Sequence, residues 1–450
     1  MPRLESKLRR DAAAIFKAGL DAADAGKAVR AHLSITAREL KSGRVRLPLK
    51  AFDRIFLLAV GKAAAQMATE VESIVTKGPG KRRLSGGLAV TKHGHAPAAP
   101  RYIEIIEAGH PIPDEAGLKA SGMVRDLLRE LNARDLLIVA LSGGASALLS
   151  APAEPVTLTA KQKTTDLLLR AGADIFELNA VRKHLSLLKG GQLAALAYPA
   201  TVVSLLLSDV IGDPIDVIGS GPTAPDLSTF ADAIGALNKY DLLGRVPAAV
   251  RNVLQRGANG ELAETPKPGD PLFENVHNVV VGSNSLALAA TARKAKLLGY
   301  RPLVLSSSME GETREVARVH ASILREAVTS GSSVRPPACI LSGGETTVTV
   351  RGKGKGGRNQ EFALAVAFAI DGLANVVALS AGTDGTDGPT DAAGAIVTGE
   401  TVGRAKELGL DPFDHLVRND AYPFFDALGD LLKTGPTGTN VMDINVLLAG

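Results

Sequence analysis

One cysteine, no tryptophan and an aromatic content of only 4% mark what this 450-residue sequence lacks. A single thiol, Cys339, makes no intramolecular disulfide, so a disulfide-stapled scaffold is excluded and a reducing compartment fits. It lies in the apolar run ACILSGG, where a buried structural thiol is expected. The scarcity of rings removes the usual stacking platform for single-stranded nucleic acid. Excess charge of one sign is missing too: 51 basic and 47 acidic side chains leave a formal net charge of +4, and no long basic stripe follows a phosphate backbone. No uninterrupted apolar run approaches the roughly 18 residues of a membrane span. The opening stretch MPRLESKLRRDAAAIF carries charges in place of a signal-peptide apolar core. Nucleic-acid and membrane partners are therefore not expected, and a cytoplasmic location is.

Apolar residues make up 45% of the chain and charged residues 22%, with 47 glycines and 24 prolines, which suits a globular α/β protein with many tight turns. At about 100–200 residues per domain, the length favours two or three domains, and two are expected. Residues 4–40 carry apolar positions at helical spacing and predict one or two amphipathic helices. RIFLLAVGKAAAQMATEVESIV (54–75) then reads as strand, turn and helix, and the same grammar returns at 135–149, 201–213, 278–299 and 375–388. Apolar strands without polar alternation, separated by helices, predict parallel sheets covered on both faces. The stretch 222–275 lacks a convincing strand, and the domain boundary is placed inside it, giving domains 1–240 and 241–450.

In open parallel sheets ligands sit beyond the carboxyl ends of the strands, so the loops after apolar runs are where chemistry is expected. Ser142, Gly143, Gly144, Ala145 and Ser146 combine backbone freedom with hydroxyls at a helix start, which suits a phosphate or carboxylate and equally suits a tight turn with a serine cap. In RGKGKGGRNQEFALAVAFAI (351–370), glycines including Gly354, Gly356 and Gly357 mix with four cations before an apolar helix, a composition fitted to polyphosphate. Its formal G-x-G-x-x-G match at 352–357 is a poor dinucleotide signature, since TTVTVR before it reads as an alternating strand and the acid expected about 20 residues on is missing. No Walker A motif occurs.

Asp384 and Asp387 share one glycine-rich turn, and Asp209 lies in SDVIGDP; such carboxylates suit Mg²⁺, which binds through one or two of them plus phosphate oxygens, although Asp-Gly pairs also simply form turns. Lys62 sits at a helix N-terminus, where a cation opposes the helix dipole, so a ligand anion is the better reason for it; Arg358 stands alike before its helix. ELNAVRKHLSLLKGGQLA (177–194) reads as a helix bearing Asn179, Arg182, Lys183, His184 and Lys189, whose cations suit a carboxylate as well as a solvated basic face. His110 and His184 are the candidates for a general base, and the eight histidines show no zinc spacing.

Taken together, VGKAA, GHPIPDEAG, LSGGASALL, ELNAVRKHLSLLKGGQLA, LSDVIGDPIDVIGSGPTAPD, LSGGETTVTVRGKGKGGRNQEFAL, LSAGTDGTDGPTDAAGAIV and TGTNVMDINVLL resemble glycerate 2-kinases of the MOFRL type, in that family's order from about residue 55 to 448. The resemblance implies a large Rossmann-like N-terminal domain with a parallel sheet, a smaller C-terminal α/β domain with a mixed sheet, and an active site in the interdomain cleft. It further implies Lys62 and Arg358 as catalytic cations, ATP and Mg²⁺ as cofactors, and D-glycerate as substrate. In that picture residues 142–146 with Gly354, Gly356 and Gly357 hold phosphates. Asn179, Arg182 and Lys183 hold the substrate, and Asp209, Asp384 and Asp387 hold metal. The family often carries the label hydroxypyruvate reductase, which the lysine-rich glycine loop argues against. A sensor that binds a phosphorylated metabolite without turnover is the rival outside enzymology, and a homodimer is left open.

Overall fold

The computed structural model describes residues 2–96 and 100–450. They form two compact units, each with its own six-stranded sheet. The first unit takes residues 25–208 and 213–281; the second takes the N-terminal segment ending at Asp24, residues 209–212 and residues 282–450.

In the first unit the apolar runs become the strands Arg54–Val60, Leu84–Lys92, Glu104–Ala108, Asp135–Leu141, Thr201–Leu207 and Val276–Gly282. Numbered in that order they lie 3-2-1-4-5-6 across the sheet, the doubly wound arrangement, and the first five pair in parallel. All seven residues of Asp135–Leu141 are buried, as the absence of polar alternation predicts for a strand covered on both faces. Because Val276–Gly282 is the sixth strand of this sheet, the units divide after Val281, downstream of the division at 240 read from the sequence.

Four helices, Leu158–Arg170, Ile175–His184, Phe230–Lys239 and Ala248–Ala258, build a second core in this unit around Leu168, Leu178, Val181, Phe230, Leu237 and Val253. The helix expected over 177–194 is in fact two. It stops at His184 and resumes at Gln192–Ala197, because Ser186 bridges to Pro152 and the Gly190 and Gly191 amides donate to Ser220 and Gly221 carbonyls. Lys189 therefore lies in a turn.

The second unit has a mixed sheet. Ala338–Gly344 pairs in parallel with Arg301–Met309 and antiparallel with Asp443–Ala449, and Val376–Gly382, Gly394–Thr398 and Leu431–Leu432 complete the order. The helix Arg358–Ala369 lies on the sheet, its apolar faces packed with Phe424 and Phe425. Helix Pro2–Ala23 packs along Asn284–Leu297, where Asp11 accepts a 2.6 Å bond from the Tyr300 hydroxyl. Helix Ala25–His32 packs instead on Ala64–Lys77 of the first unit. TTVTVR, expected as an alternating strand, forms only the isolated Glu312–Thr347 bridge; Val350 is 72% exposed, so no neighbour exists for a ladder to bury it against. Cys339 is buried and free, and burial pushes its thiol up. Among the described residues no helix is long and apolar enough to cross a membrane.

Candidate active site

The strand order of the first unit reverses between Arg54–Val60 and Asp135–Leu141, and at such a switch point the loops diverge to leave a crevice. Those loops are 61–63 and 142–146, and they are laced together. Ser142 N donates to the Val60 carbonyl, Lys62 N donates to Gly143, and Ala63 N donates to the Ser142 hydroxyl at 3.1 Å. Gly61 has φ +132°, and a Cβ on it would lie 2.1 Å from Ser142 Oγ, so only glycine lets the two loops meet. A Cβ on Gly144 would sit 3.0 Å from His110 Nε2 and 3.4 Å from Lys62 Cγ, which places those two side chains over the 142–146 turn. Burial, with the charge of Lys62 adding to it, holds the His110 imidazole down at about 4. It is a neutral proton acceptor at physiological pH.

Beside this turn opens a cavity of about 630 Å³, lined by His110, Gly144, Ser146, Lys161, Arg182 and Lys189 among others. Lys161 is 6% and Lys189 1% exposed. Burial and then Arg182 lower the Lys161 ammonium to about 7. Burial, then Lys161 and Arg182, carry Lys189 well below its ordinary value, and burial lowers Arg182. Buried cations that repel one another are expected only where something negative is to arrive. The one acid on the wall, Asp166, is an exposed rim residue paired with Arg170 at 2.9 Å. Lys161 Nζ and Ser150 Oγ, both on the cavity wall, are buried without a hydrogen-bond partner. Lys189 is held by the Ser146 carbonyl and hydroxyl and the Leu149 carbonyl.

Of the candidates on helix Ile175–His184, Arg182 reaches this cavity and the others serve the fold. Lys183 is buried in ion pairs with Asp226 at 3.0 Å and Asp216 at 3.4 Å. Asn179 accepts from the Ser220 hydroxyl at 3.0 Å, which in turn meets Ser146 Oγ at 2.8 Å, so it supports the turn from behind. His184 bonds Ala180 and Glu264 and is committed to packing. Lys161 is not among the residues that the sequence singles out. Its signal is positional: it shares the buried face with Thr164 and Leu168, at i, i+3 and i+7.

The second unit holds its own cavity, about 720 Å³, and here Gly354, Gly356, Gly357, Arg358, Asp384 and Asp387 come together. The glycine loop is tightly packed: a Cβ on Gly352 would lie 2.0 Å from the Arg418 carbonyl and one on Gly354 2.5 Å from Asp420 Cβ. Arg358 is held by both oxygens of Asp443, at 2.6 and 3.1 Å, and by Glu345 at 2.6 Å. Burial works against its charge, but these carboxylates outweigh it and hold the guanidinium above its ordinary value. Asp387 is buried with both oxygens accepting from the backbone N–H groups of Asn359 and Gln360, so it caps the helix Arg358–Ala369 from a distance in sequence. Burial pushes its carboxyl up to about 6 in spite of those bonds. Asp384 closes a turn through Thr386 and lies on the cavity wall, half-buried. Asp209 belongs to the short segment 209–212 that groups with this unit. Among the described residues no three His, Cys, Asp or Glu side chains gather as a metal cluster.

A doubly wound sheet with a cavity beside its switch point, whose buried ionisable side chains Lys161 and Lys189 are both basic, is an arrangement suited to small anions. Residues 11–255 match the model of a domain of unknown function, DUF4147, and residues 338–443 match the MOFRL family. A D-glycerate 2-kinase from Thermotoga maritima is 44% identical over 88% of this chain and 91% of its own length. A glycerate 2-kinase from Pyrococcus horikoshii is 41% identical over 95% and 94%, and a putative hydroxypyruvate reductase from Agrobacterium vitis 43% over 90% and 89%. The crystal structure of a glycerate kinase from Thermotoga maritima, 41% identical, superposes with a TM-score of 0.88 over 99% of this chain and all of its own. The chain belongs to the glycerate kinase family of the DUF4147 and MOFRL type.

Proposed function

We propose that this chain transfers the γ-phosphoryl group of ATP to the 2-hydroxyl of D-glycerate, giving 2-phosphoglycerate and ADP. The observation that carries this reading is the cavity of the first unit, where Lys161, Arg182 and Lys189 face one space whose one acid, Asp166, is an exposed rim residue paired with Arg170. In a chain whose relatives are named glycerate kinases, that cavity is the place for the acceptor acid. Arg182 holds its carboxylate. His110, kept neutral, takes the hydroxyl proton, and Lys62 neutralises the group in transfer. Phosphoryl transfer depends on such positioning and neutralisation more than on covalent help.

The cavity of the second unit suits the nucleotide. Its donor set tests the fit of Mg²⁺: Asp387 is spent on the helix cap, leaving Asp384 on the wall as the carboxylate for a metal held mainly by phosphate oxygens. Bound there, the metal would supply neutralisation of phosphate charge. Arg358, fixed in direction by Asp443 and Glu345, presents its remaining surface to the same cavity.

The reductase name borne by one relative favours a second reading. Against it, the one G-x-G-x-x-G segment is packed on the 418–420 backbone, and the helix amides that would meet a pyrophosphate are taken by Asp387. Steady-state kinetics separate the two. Arg182→Gln is expected to raise KM for D-glycerate about ten-fold or more while leaving KM for ATP within about two-fold. Lys62→Ala is expected to lower kcat by about 10³-fold. Oxidation of NADH by hydroxypyruvate, without ADP formation from ATP and D-glycerate, would favour the reductase; ligand binding with neither turnover would favour a sensor.

A further inference from the structure

The acceptor cavity presents more basic side chains than its proposed substrate can use. D-Glycerate is a monoanion with one carboxylate, whereas Lys161, Arg182 and Lys189 face the cavity together and Lys62 lies with His110 over the 142–146 turn. The polar complement is also in excess. After Lys189 has been satisfied by Ser146 and Leu149, the cavity still presents the buried and unpartnered Lys161 ammonium and Ser150 hydroxyl. A carboxylate has two oxygens to offer, and Arg182 alone binds both of them well. The remaining donors, two of them cationic or hydroxylic and without partners, call for a second anionic group on the same ligand. The volume of about 630 Å³ accommodates one.

Resting on the reading of this cavity as the acceptor site, we infer that Lys161 and Ser150 form an anion subsite that makes the cavity select small acids bearing two anionic groups. Hydroxy-acid phosphomonoesters are the foremost class. The consequence is regulatory: the phosphorylated product occupies the acceptor site more tightly than the substrate, and it competes with D-glycerate even when no nucleotide is present.

Isothermal titration of the full chain without nucleotide tests this, using D-glycerate, 2-phosphoglycerate and inorganic phosphate as ligands. For the unsubstituted protein, 2-phosphoglycerate is expected to bind at least about ten-fold tighter than D-glycerate. Lys161→Met is expected to shrink that ratio below about three, because it removes a partner of the second anionic group and leaves Arg182 for the carboxylate. Ser150→Ala, a smaller change suited to a case in which the lysine variant fails to fold, shifts the ratio in the same direction. Product inhibition of the unsubstituted enzyme by 2-phosphoglycerate is expected to be competitive against D-glycerate, with an inhibition constant below KM. Equal affinities for the two ligands, with both weakened by Arg182→Gln, would overturn the subsite while sparing the acceptor site. Binding of both ligands unchanged by Arg182→Gln and Lys161→Met would remove the acceptor site itself. Weakened ATP binding in Lys161→Met, with 2-phosphoglycerate unaffected, would assign the lysine to the triphosphate and overturn the inference.

Discussion

A lysine that is 6% exposed, with a buried ammonium that has no partner, is a cost the fold would avoid if stability were all that mattered. Lys161 makes this cost measurable. Its ammonium falls to about 7 through burial and then Arg182, whereas in the unfolded chain it titrates near the ordinary lysine value. Between those two values the unfolded state binds the extra proton and the folded state does not, so stability contributed by this site rises with pH over that window. Below pH 7 the penalty is present in full, on the order of a few kcal/mol. Lys161→Met is therefore expected to raise the melting temperature of the ligand-free protein at pH 6 and to flatten its rise between pH 7 and pH 10, as thermal denaturation across pH will show. A substitution that stabilises the empty protein while weakening its anion binding separates a binding residue from a structural one. Lys183, one position from Arg182, shows the contrast: it is equally buried but paired with Asp226 and Asp216.

The elements that place these residues depend on a few close contacts. Gly61 allows the turn after strand Arg54–Val60 to touch the one after Asp135–Leu141, and a methyl group there would fall 2.1 Å from Ser142 Oγ and 2.5 Å from its carbonyl. Gly61→Ala combines overpacking with an unfavourable positive φ, so a loss of about 3 kcal/mol or more is expected in urea denaturation, with turnover falling because Lys62 moves. At this scale much was legible in the sequence. The strand-turn-helix units and the loop 142–146 lie where apolar runs end, because a strand covered on both faces has no other signature. What escaped was set by partners distant in sequence. TTVTVR alternates like a strand but finds no edge to join, and Asp387 looks like a metal ligand until the helix 28 residues before it claims its oxygens. Lys161 escaped because helical periodicity cannot show that the face it shares with Leu168 lines a cavity.

For the molecule as a whole, the division of labour follows from two sheets of different construction. The parallel sheet, ordered 3-2-1-4-5-6, opens at its switch point and gathers Lys62, His110 and the 142–146 turn there, with a helical layer supplying Lys161 and Arg182. The mixed sheet carries the glycine loop, Arg358 and Asp384 around a separate cavity. With 51 basic and 47 acidic residues in near balance, the basic cluster of the first cavity is a local, buried feature and not a property of the whole surface. Phosphorus NMR of the product formed from ATP, Mg²⁺ and D-glycerate reads the proposed chemistry directly. The account predicts the phosphomonoester resonance of 2-phosphoglycerate, growing in step with ADP and suppressed in Arg182→Gln at low D-glycerate. A resonance of 3-phosphoglycerate, or no new phosphomonoester at all, would contradict it.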